Sequence, residues 1–358
     1  MIQHSRKLIN FVEDKEVWDS IVKQFSQADV YFTYEYCKWA AETEGGTAKL
    51  VYFKNEKGSI IYPIIIRSIN MGQKDEVYDI TTPYGYGGPI LKGDPETINE
   101  FKEAFYHYCL NNRIVSEIIR VHPLVNNKAY LSKYCSLQYV RQTTAVNLKP
   151  SLEKIREGYS KMNKRNIKKA VKNNLICKEV EKTAGNIHTF YELYKETMNR
   201  KYASPYYFFD QESLSKQMNN SNVSNAHLIF VYSDNAVVSA VILFTSNKLA
   251  HYHLGASDEN YLYLRPNNLV FDYMVKISKE SGCTLLNLGG GYSENDNLFL
   301  YKTSFSNGNN YSFYIGKNIF NEELYRELEL FAGVDNSLSE GFFPSYRTPV
   351  RERIQSSQ

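Results

Sequence analysis

The residues with the clearest chemical potential lie in the last third of the chain. A predicted buried strand over Thr284–Leu288 runs into three glycines, Gly289-Gly290-Gly291, and a turn with Asp296 and Lys302 is expected after them. Glycine lets a backbone approach a ligand closely, and ligands of open α/β folds bind at the carboxyl ends of strands. Lys302 is therefore a candidate to hold a phosphate or to stabilise an oxyanion at an acyl centre. The alternative is a surface lysine whose stem covers aromatic rings.

Two histidines alternate along the strand predicted over Leu249–Ala256, so His251 and His253 should face the same side of the sheet. Imidazole titrates near neutral pH, and His253 is a candidate general base, as is Asp296. A structural or substrate-lining role is the favoured alternative for the histidines. Two histidines at this spacing can share a metal ion, but no third ligand is spaced to help, and no metal is predicted.

A glycine-rich loop in the first half, Tyr84-Gly85-Tyr86-Gly87-Gly88-Pro89, is a second candidate binding element. Tyr84 and Tyr86 can stack on a sugar or base, or can bond a phosphate, although a tight loop filled with local aromatic rings would look the same. Arg120 and His122 end a nearby predicted strand and have the same two interpretations. The sequence contains no P-loop, dinucleotide-binding or G-x-S-x-G motif, so those chemistries are not indicated.

Six basic residues recur at steps of three and four and would form one face of a helix, which we call the basic stripe. They are Lys161, Lys164, Arg165, Lys168, Lys169 and Lys172, and no acid lies between Glu157 and Glu179. The residues Met162, Ile167, Ala170, Val171 and Leu175 are expected mainly on the other face. Such like charges repel by a few tenths of a kcal/mol per pair. The stripe is either a solvated face or the binding surface of a polyanion, such as a pyrophosphate, an RNA acceptor arm or an anionic membrane.

The elements that position these residues follow one order, which is written twice. The first half reads as a helix over Tyr34–Ala41, strands over Lys49–Lys54, Ser59–Ile69 and Val77–Ile80, a helix over Glu96–Asn112, and strands over Glu117–His122 and Tyr139–Leu148. The second half reads as a helix over Ile187–Arg200, strands over His227–Tyr232, Ala236–Phe244 and Leu249–Ala256, a helix over Pro266–Gly282, and strands over Thr284–Leu288 and Tyr311–Gly316. This order predicts an α/β (α+β) fold of two similar domains.

The predicted domains cover residues 1–150 and 151–318, and residues 319–358 are a helix over Glu322–Phe331 and a docked tail. A chain of 358 residues exceeds the usual size of a single core, which favours two domains. Lys and Arg exceed Asp and Glu by only three, so bulk charge indicates no partner. Five scattered cysteines, with no signal peptide and no stretch of ~18 apolar residues, predict a cytoplasmic protein whose membrane contact, if any, is peripheral.

Taken together, the motifs resemble the Fem family of peptidoglycan-bridge aminoacyltransferases and their relatives among GNAT-like N-acyltransferases, in particular the members from polysaccharide clusters. The resemblance covers most of the chain and rests on the order of NKRNIKKAVKNN (Asn163–Asn174), HLGAS (His253–Ser257), RPNNLVFDYMVKISKESG (Arg265–Gly282), NLGGG (Asn287–Gly291), DNLFLYKTSF (Asp296–Phe305), YDITTPYGYGGP (Tyr78–Pro89) and IRVHPLVNN (Ile119–Asn127).

The resemblance implies two tandem GNAT-like domains, each a mixed, splayed sheet flanked by helices. It also implies transfer of an acyl or aminoacyl group to an amine, with no tightly bound cofactor and with acyl-CoA or aminoacyl-tRNA as co-substrate. Lys302, preceded here by Tyr301, matches the lysine of the family's F-K-x-x-F-like segment. Arg165 matches an arginine associated with the acceptor's phosphate. One departure is that Leu264–Asn268 replaces the glycine-rich pyrophosphate loop of ordinary GNAT enzymes, which weakens the case for coenzyme A.

The mechanism expected from the resemblance places the donor carbonyl between the strands over Leu249–Ala256 and Thr284–Leu288. Lys302 would stabilise charge there, and Lys164 and Arg165 would hold the acceptor's phosphate. The base is open between Asp296, His253 and a phosphate of the acceptor, with Asp296 preferred. The expected substrate-binding residues are Tyr84, Tyr86, Arg120, His122, Lys164, Arg165, Asn268 and Tyr301, and the two loop tyrosines would line an acceptor cleft between the domains.

Three functions remain open on the sequence alone. The first is aminoacyl transfer from tRNA to a peptidoglycan precursor, and the second is acyl-CoA-dependent acylation of a nucleotide- or lipid-linked amino sugar. The third is a non-catalytic module whose basic stripe binds RNA or anionic phospholipid. The expected partner is a phosphate-bearing cell-envelope precursor, together with tRNA if tRNA is the donor, and no DNA. Neither the donor, the acceptor, the base nor the oligomeric state can be deduced from the residues.

Overall fold

The computed structural model describes residues 8–70, 76–125, 127–334 and 342–348. Its strands are β1 Leu8–Val12, β2 Gly46–Lys54, β3 Gly58–Ile69, β4 Val77–Thr81, β5 Ile90–Gly93, β6 Ile114–Arg120, β7 Ser136–Asn147, β8 Ile176–Val180, β9 Ser224–Ser233, β10 Ala236–Ser246, β11 Leu249–Ser257, β12 Leu285–Gly289 and β13 Asn310–Ile319. Its α-helices are α1 Lys15–Val22, α2 Tyr34–Glu44, α3 Thr97–Asn111, α4 Lys128–Tyr134, α5 Leu152–Glu157, α6 Lys161–Lys172, α7 Ala184–Arg200, α8 Gln211–Gln217, α9 Pro266–Glu280, α10 Asn297–Ser306 and α11 Glu322–Phe331.

The chain forms two compact units that are not continuous in sequence. The first unit comprises residues 1–25, 40–140 and 313–358, and the second comprises residues 26–39 and 141–312. The division therefore runs through β7 and β13 and not through the turn at Pro150. Whether residues 1–150, 151–318 and 319–358 act as domains stays a prediction.

The first unit is a mixed sheet in the order β1, β2, β3, β4, β6, β13, with β5 also paired to β3. Neighbouring strands are antiparallel except for the pair of β4 and β6, which is parallel. Helix α3 connects these two parallel strands and packs its apolar side, including Phe101 and Phe105, against Tyr62 and Phe53. This is a βαβ crossover inside an otherwise antiparallel sheet.

The second unit repeats this arrangement in the order β8, β9, β10, β11, β12, β7. Again the strand pairs are antiparallel except for β11 with β12, which α9 connects. Helix α9 buries Val270, Phe271, Met274 and Val275 on the sheet because these residues recur at helical spacing. The same strand order and the same single parallel pair in both units confirm the predicted duplication.

The last strand of each unit comes from the other half of the sequence. Residues Ile315–Ile319 of β13 pair with β6 in the first unit, whereas Thr144–Asn147 of β7 pair with β12 in the second. The prediction that Tyr139–Leu148 closes the first half and Tyr311–Gly316 the second is therefore wrong. A strand pairs with its neighbour by backbone hydrogen bonds that no local sequence pattern specifies, so the sequence gives no sign of this exchange.

Residues 342–348 pack on other parts of the first unit. The buried Tyr346 packs with Tyr325 and Leu328 of α11, and Arg347 donates to the carboxylate of the fully buried Asp79. A buried carboxylate needs such a partner, because an unpaired charge in the interior costs several kcal/mol. Among the helices of the described residues, none combines the length and the apolar character needed to span a membrane.

Candidate active site

The two parallel strands of the second unit separate at the position where a ligand is expected. Their pairing covers only Leu249 with Leu285, Ala250 with Leu286 and His251 with Asn287, although β11 continues to Ser257. A bulge also interrupts the pairing of β11 with β10, since Tyr252 and Leu254 pair with consecutive residues. Backbone groups beyond His251 are therefore left without a partner on β12, which suits a site that binds an extended polar substrate.

The glycines after β12 bring the chain back over this opening. Gly289 has a left-handed φ of 74°, and a Cβ built on Gly290 would lie 2.7 Å from the carbonyl oxygen of Gln142. The chain then enters α10, whose N-cap is Asp296. The expected turn containing Asp296 and Lys302 is therefore wrong for Lys302, which lies inside a helix and not in a loop.

Lys302 is almost completely buried, with 7% of its surface exposed. Its Nζ donates to the carbonyl oxygen of Gly290 at 2.7 Å and lies 5.6 Å from the centre of the Tyr252 ring. Burial lowers the pKa of Lys302 to about 8, while the nearby Asp296 opposes this change and Arg141 adds to it. The ammonium group is thus held in a buried position of low dielectric constant beside the separated strands, where charges interact more strongly than in water. A catalytic role for Lys302 stays a prediction.

Two residues at this site have no counterpart among the predicted site residues. Arg141 on β7 donates from Nη1 to the backbone oxygen of Tyr292, and its side chain lies over Gly290 on the way. Tyr252 lies beneath the Lys302 ammonium and packs on Phe271 of α9. Arg141 comes from a strand of the other half, so only the tertiary fold could reveal it. The alternation of side chains along β11 could have predicted the position of Tyr252, because it places this ring on the other face of the strand from His251 and His253.

Asp296 is bound by backbone groups of its own loop. Its carboxylate accepts hydrogen bonds from the N–H groups of Tyr292, Ser293 and Phe299. Burial opposes ionisation of this group, but the N–H donors outweigh it and lower the pKa of Asp296. These contacts make it a cap of α10, which stabilises a helix by about 1 kcal/mol. A catalytic role for Asp296 stays a prediction that the geometry does not favour.

His253 lies on the other face of β11 from Lys302. Its ring packs on Phe244 and Tyr36, and its Nε2 is 2.5 Å from Oε1 of Gln217. Burial, and then the neighbouring His251, lower the pKa of His253 to about 3. His251 faces the same side, as predicted, and pairs with the buried Asp29 at 2.8 Å. The structure thus separates His253 from Lys302, and its role as a base stays a prediction.

A buried polar chain joins three helices next to this site. Asn268 of α9 donates to Oδ1 of Asn163 on α6 at 3.0 Å, and Asn163 donates to the hydroxyl of Ser304 on α10 at 2.7 Å. Ser160, the N-cap of α6, also donates from its backbone N–H to the Ser304 carbonyl oxygen. Asn268 therefore helps to position α6, and its role in substrate binding stays a prediction. These hydrogen bonds fix the start of the basic stripe beside α10, the helix that carries Lys302.

The basic stripe is a helical face, as predicted, and its side chains reach solvent with the exception of the partly buried Lys164. Lys164 donates to the backbone oxygen of Glu157, whereas Arg165 is exposed. Ala170 is buried, but Met162 and Val171 are 61% and 58% exposed. The apolar residues are expected mainly on the face opposite the stripe, and Ala170 lies there, but Met162 and Val171 lie on the flanks of the helix.

Tyr301 contributes to the core under the site. Its ring packs on Phe271 and Phe305 at 5.2 and 5.5 Å, and its buried hydroxyl has no hydrogen-bond partner in the described structure. Phe299 and Phe305 are buried, as expected. A role of Tyr301 in substrate binding stays a prediction.

The four predicted residues of the first half all belong to the first unit. Tyr86 packs on His122 at 5.4 Å, and Nδ1 of His122 accepts from the N–H groups of Leu124 and Val125. Arg120 donates to Thr81 and Thr82 and forms an ion pair with Glu44 at 3.5 Å. Tyr84 is partly buried in the glycine loop. These contacts are structural, and their roles in substrate binding stay predictions.

The glycine run provides a first test of the site. Replacing Gly290 by alanine is expected to lower kcat/KM at least tenfold and to cost about 1–3 kcal/mol of stability, because the new methyl group would displace the Gln142 carbonyl or the chain that holds Lys302. Gly185→Ala is the matched control, since a Cβ there meets no atom within 4 Å. Steady-state kinetics and thermal unfolding of both variants measure the two effects. If the two variants have the same kcat/KM and the same stability, the close approach of the chain at Gly290 is not needed for the site.

The arrangement can perform chemistry on a carbonyl. It offers two parallel strands that separate beyond His251, a buried ammonium group with a lowered pKa, and a second cation from Arg141. Such groups stabilise the oxyanion of a tetrahedral intermediate.

Comparison with known proteins agrees with this chemistry. The sequence model of the acetyltransferase (GNAT) domain matches residues 160–302, from the N-cap of α6 to Lys302. No curated protein sequence matches the chain.

The solved structures give the fold of the whole chain. FemX superimposes with a TM-score of 0.67 at 12% identity, over 90% of this chain and 100% of that chain. The C-terminal domain of a putative lysylphosphatidylglycerol synthetase from Agrobacterium fabrum gives 0.53 at 10% identity over 90% and 97%. L-PGS from Bacillus licheniformis gives 0.51 at 12% identity over 82% and 94%.

The matched segment lies in the second unit, and the first unit has the same strand order, so the chain carries two GNAT-like domains in tandem. Residues 160–302 match the acetyltransferase (GNAT) domain, so the protein is an acyltransferase, and the chain has the fold of FemX.

Proposed function

We propose that the protein forms an amide by moving an aminoacyl group from aminoacyl-tRNA to an amine of a phosphate-bearing cell-envelope precursor. The observation that supports transfer at this site is the buried Lys302 ammonium beside the separated ends of β11 and β12. The lysylphosphatidylglycerol synthetase and FemX structures share the fold and support an acceptor from the cell envelope.

In the proposed reaction the lone pair of the acceptor's neutral amine attacks the carbonyl carbon of the donor ester. A C–N bond forms, and the negative charge that appears on the carbonyl oxygen is stabilised by Lys302, with Arg141 adding positive potential. Alignment of the two reactants lowers the barrier by ~7–11 kcal/mol, and an oxyanion donor by ~3–4 kcal/mol. The intermediate then collapses with cleavage of the C–O bond of the ester.

The proton that the amine loses goes to the departing ester oxygen, so that the products are an amide and a free hydroxyl group on the donor. Neither of the two residues predicted as the base, Asp296 and His253, is well suited to accept this proton from the amine. Asp296 is engaged by three backbone N–H groups, and a histidine with a pKa of about 3 binds a proton weakly at neutral pH. Transfer to the leaving group requires neither residue.

The acceptor's phosphate is assigned to Lys164 and Arg165 at the start of the basic stripe. Both follow Asn163, which the polar chain of Asn268 and Ser304 fixes next to α10. A guanidinium group can bind two phosphate oxygens at once, and a lysine adds a point charge. Tyr84 and Tyr86 of the first unit are further candidates for acceptor binding.

The start of α9 favours aminoacyl-tRNA over acyl-CoA. The first turn of a helix binds a pyrophosphate through free N–H groups. Here Pro266 has none, and the N–H of Asn268 donates to the Arg265 carbonyl oxygen. The side chains of Asn267 and Asn268 are also engaged, by Ser239 and by Asn163. This end of α9 therefore offers fewer donors to coenzyme A than a glycine-rich loop does.

Donor discharge is the experiment that tests this function. The protein is incubated with radiolabelled aminoacyl-tRNA or with acetyl-CoA, each with amine acceptors of nucleotide- and lipid-linked precursors. We expect label to move from tRNA to an acceptor, and thioester cleavage to stay at the background rate. The match to the GNAT acetyltransferase domain favours a second candidate function, the N-acylation of an amino sugar with acyl-CoA. Turnover of acetyl-CoA and not of aminoacyl-tRNA would establish it. Failure of both donors would favour a non-catalytic module that binds RNA or anionic phospholipid.

A further inference from the structure

The basic stripe carries more positive charge than the proposed reaction uses. Helix α6 contains six basic residues and no acid, while the whole chain has a net charge of +3, so the other residues together carry +3 − 6 = −3. None of the six side chains forms an ion pair among the described residues, and five of them are exposed. Lys168, Lys169 and Lys172 in particular extend away from the Lys164–Arg165 end that is assigned to the acceptor.

The stripe is also held rigidly. Ser160 caps α6, and Asn163 and Ala170 are buried on the face opposite the charges. Twelve residues give a helix about 18 Å long. Because the helical backbone is fixed, the six positive charges cannot move far apart to reduce their repulsion. A pyrophosphate is too small to neutralise all of these charges, so an extended anionic surface fits them better.

The exposed apolar residues beside the basic stripe favour a membrane over an RNA as its partner. Met162 and Val171 lie on the two sides of the stripe and are 61% and 58% exposed. RNA offers phosphates and hydroxyl groups to such a face but little apolar surface along its backbone. The boundary between headgroups and acyl chains of a bilayer offers both phosphates for the lysines and hydrocarbon for the flanking side chains.

We propose that the basic stripe of α6 docks the protein on an anionic membrane surface, with Met162 and Val171 entering the headgroup layer. The proposal rests on the proposed function in one respect, namely that the acceptor is an envelope precursor. A stripe on the bilayer would place its Lys164–Arg165 end at the depth of lipid phosphates, so the acceptor is a lipid-linked amine. The membrane then delivers the acceptor to α10 and Lys302.

Vesicle sedimentation tests the docking without catalysis. Full-length protein is mixed with phosphatidylcholine vesicles with and without phosphatidylglycerol, and the bound fraction is measured. We expect binding only to the anionic vesicles. The triple substitution Lys168→Gln, Lys169→Gln and Lys172→Gln should reduce it at least tenfold, since each basic residue near an anionic surface contributes roughly a factor of five. The same change at the exposed Lys23, Lys54 and Lys57 is the control and should have little effect.

A second variant separates the membrane from RNA. Met162→Ser with Val171→Ser should weaken vesicle binding several-fold and leave the salt-dependent binding of tRNA unchanged. Unchanged vesicle binding in both α6 variants would overturn the proposal, and so would a loss confined to tRNA. Circular dichroism confirms that each variant is folded. The Lys302→Met variant should bind vesicles like the native protein, so an inactive enzyme that still binds vesicles contradicts only the proposed function.

Discussion

Replacing Lys302 by methionine is expected to lower kcat by roughly 10²-fold, the usual effect of removing one oxyanion-stabilising group. Methionine has nearly the length and volume of the lysine stem, so the apolar part of the contact with Tyr252 is kept and only the ammonium group is lost. The assay is transfer of label from the donor that proves active. Lys276→Met on α9, where the lysine is exposed to solvent and near Glu280, is the control and should keep full activity.

The same substitution should not destabilise the protein, and this separates a catalytic role from a structural one. The folded-state pKa of Lys302 is about 8, below the ordinary value of 10.5, so the charged form is disfavoured by folding. Below pH 8 this costs ~3 kcal/mol, because one pKa unit corresponds to about 1.4 kcal/mol. Methionine removes that cost and loses one hydrogen bond of about 1 kcal/mol. A variant that is both inactive and less stable would mean that Lys302 mainly holds the Gly290 loop.

The lowered pKa also predicts a pH profile. If the charged form of Lys302 stabilises the oxyanion, kcat should fall as the pH rises through about 8. Lys302→Arg keeps the charge at all these pH values, so its residual activity should lack this alkaline limb. A native rate that rises through pH 8 and stays high would indicate that the neutral amine is the active form.

Residue patterns predicted the regular elements that carry a clear period. Helix α9 was placed within two residues because its apolar residues recur at helical spacing after a proline, and β2 and β3 were recognised from the Asn55–Gly58 turn between them. The residues of α10 predict a turn and not a helix, because its apolar residues, Leu298 and Leu300 among them, are spread around the helix and leave no polar stripe. Such a helix is stabilised by burial on several sides, which periodicity alone cannot show.

The sequence predicts only part of the candidate site, because it shows local patterns but not contacts between distant segments. The glycine run, Lys302 and the separation of β11 from β12 follow from one continuous stretch of sequence, and the structure brings them together. Arg141 reaches the site only because β7 pairs with β12. His253 and Lys302 are close in the sequence pattern but lie on opposite faces of β11. Contacts between distant segments depend on the tertiary fold, and a list of motifs does not contain them.

The first unit contains a buried acid that should control its stability. Glu117 on β6 is fully buried, and its carboxylate accepts hydrogen bonds from Tyr134 and from Asn318 at 2.7 Å. Burial raises the pKa of Glu117 from 4.5 to about 7, and these hydrogen bonds offset only part of the change. The unfolded chain therefore releases this proton at a lower pH than the folded protein does. The contribution of Glu117 to stability should be greatest below pH 4.5 and should be lost as the pH rises through about 7.

Glu117→Gln should therefore stabilise the first unit by up to ~3 kcal/mol at pH 8 and by little at pH 5, because glutamine cannot ionise. Urea unfolding at both pH values measures the difference, and Trp18 in a Trp39→Phe background reports on the first unit alone, since these are the two tryptophans of the chain. Tyr134→Phe is the complementary control. It removes a donor to the carboxylate and should destabilise the unit more at pH 8 than at pH 5. A difference between Glu117→Gln and the native protein that is the same at both pH values would show that Glu117 does not titrate in the folded state.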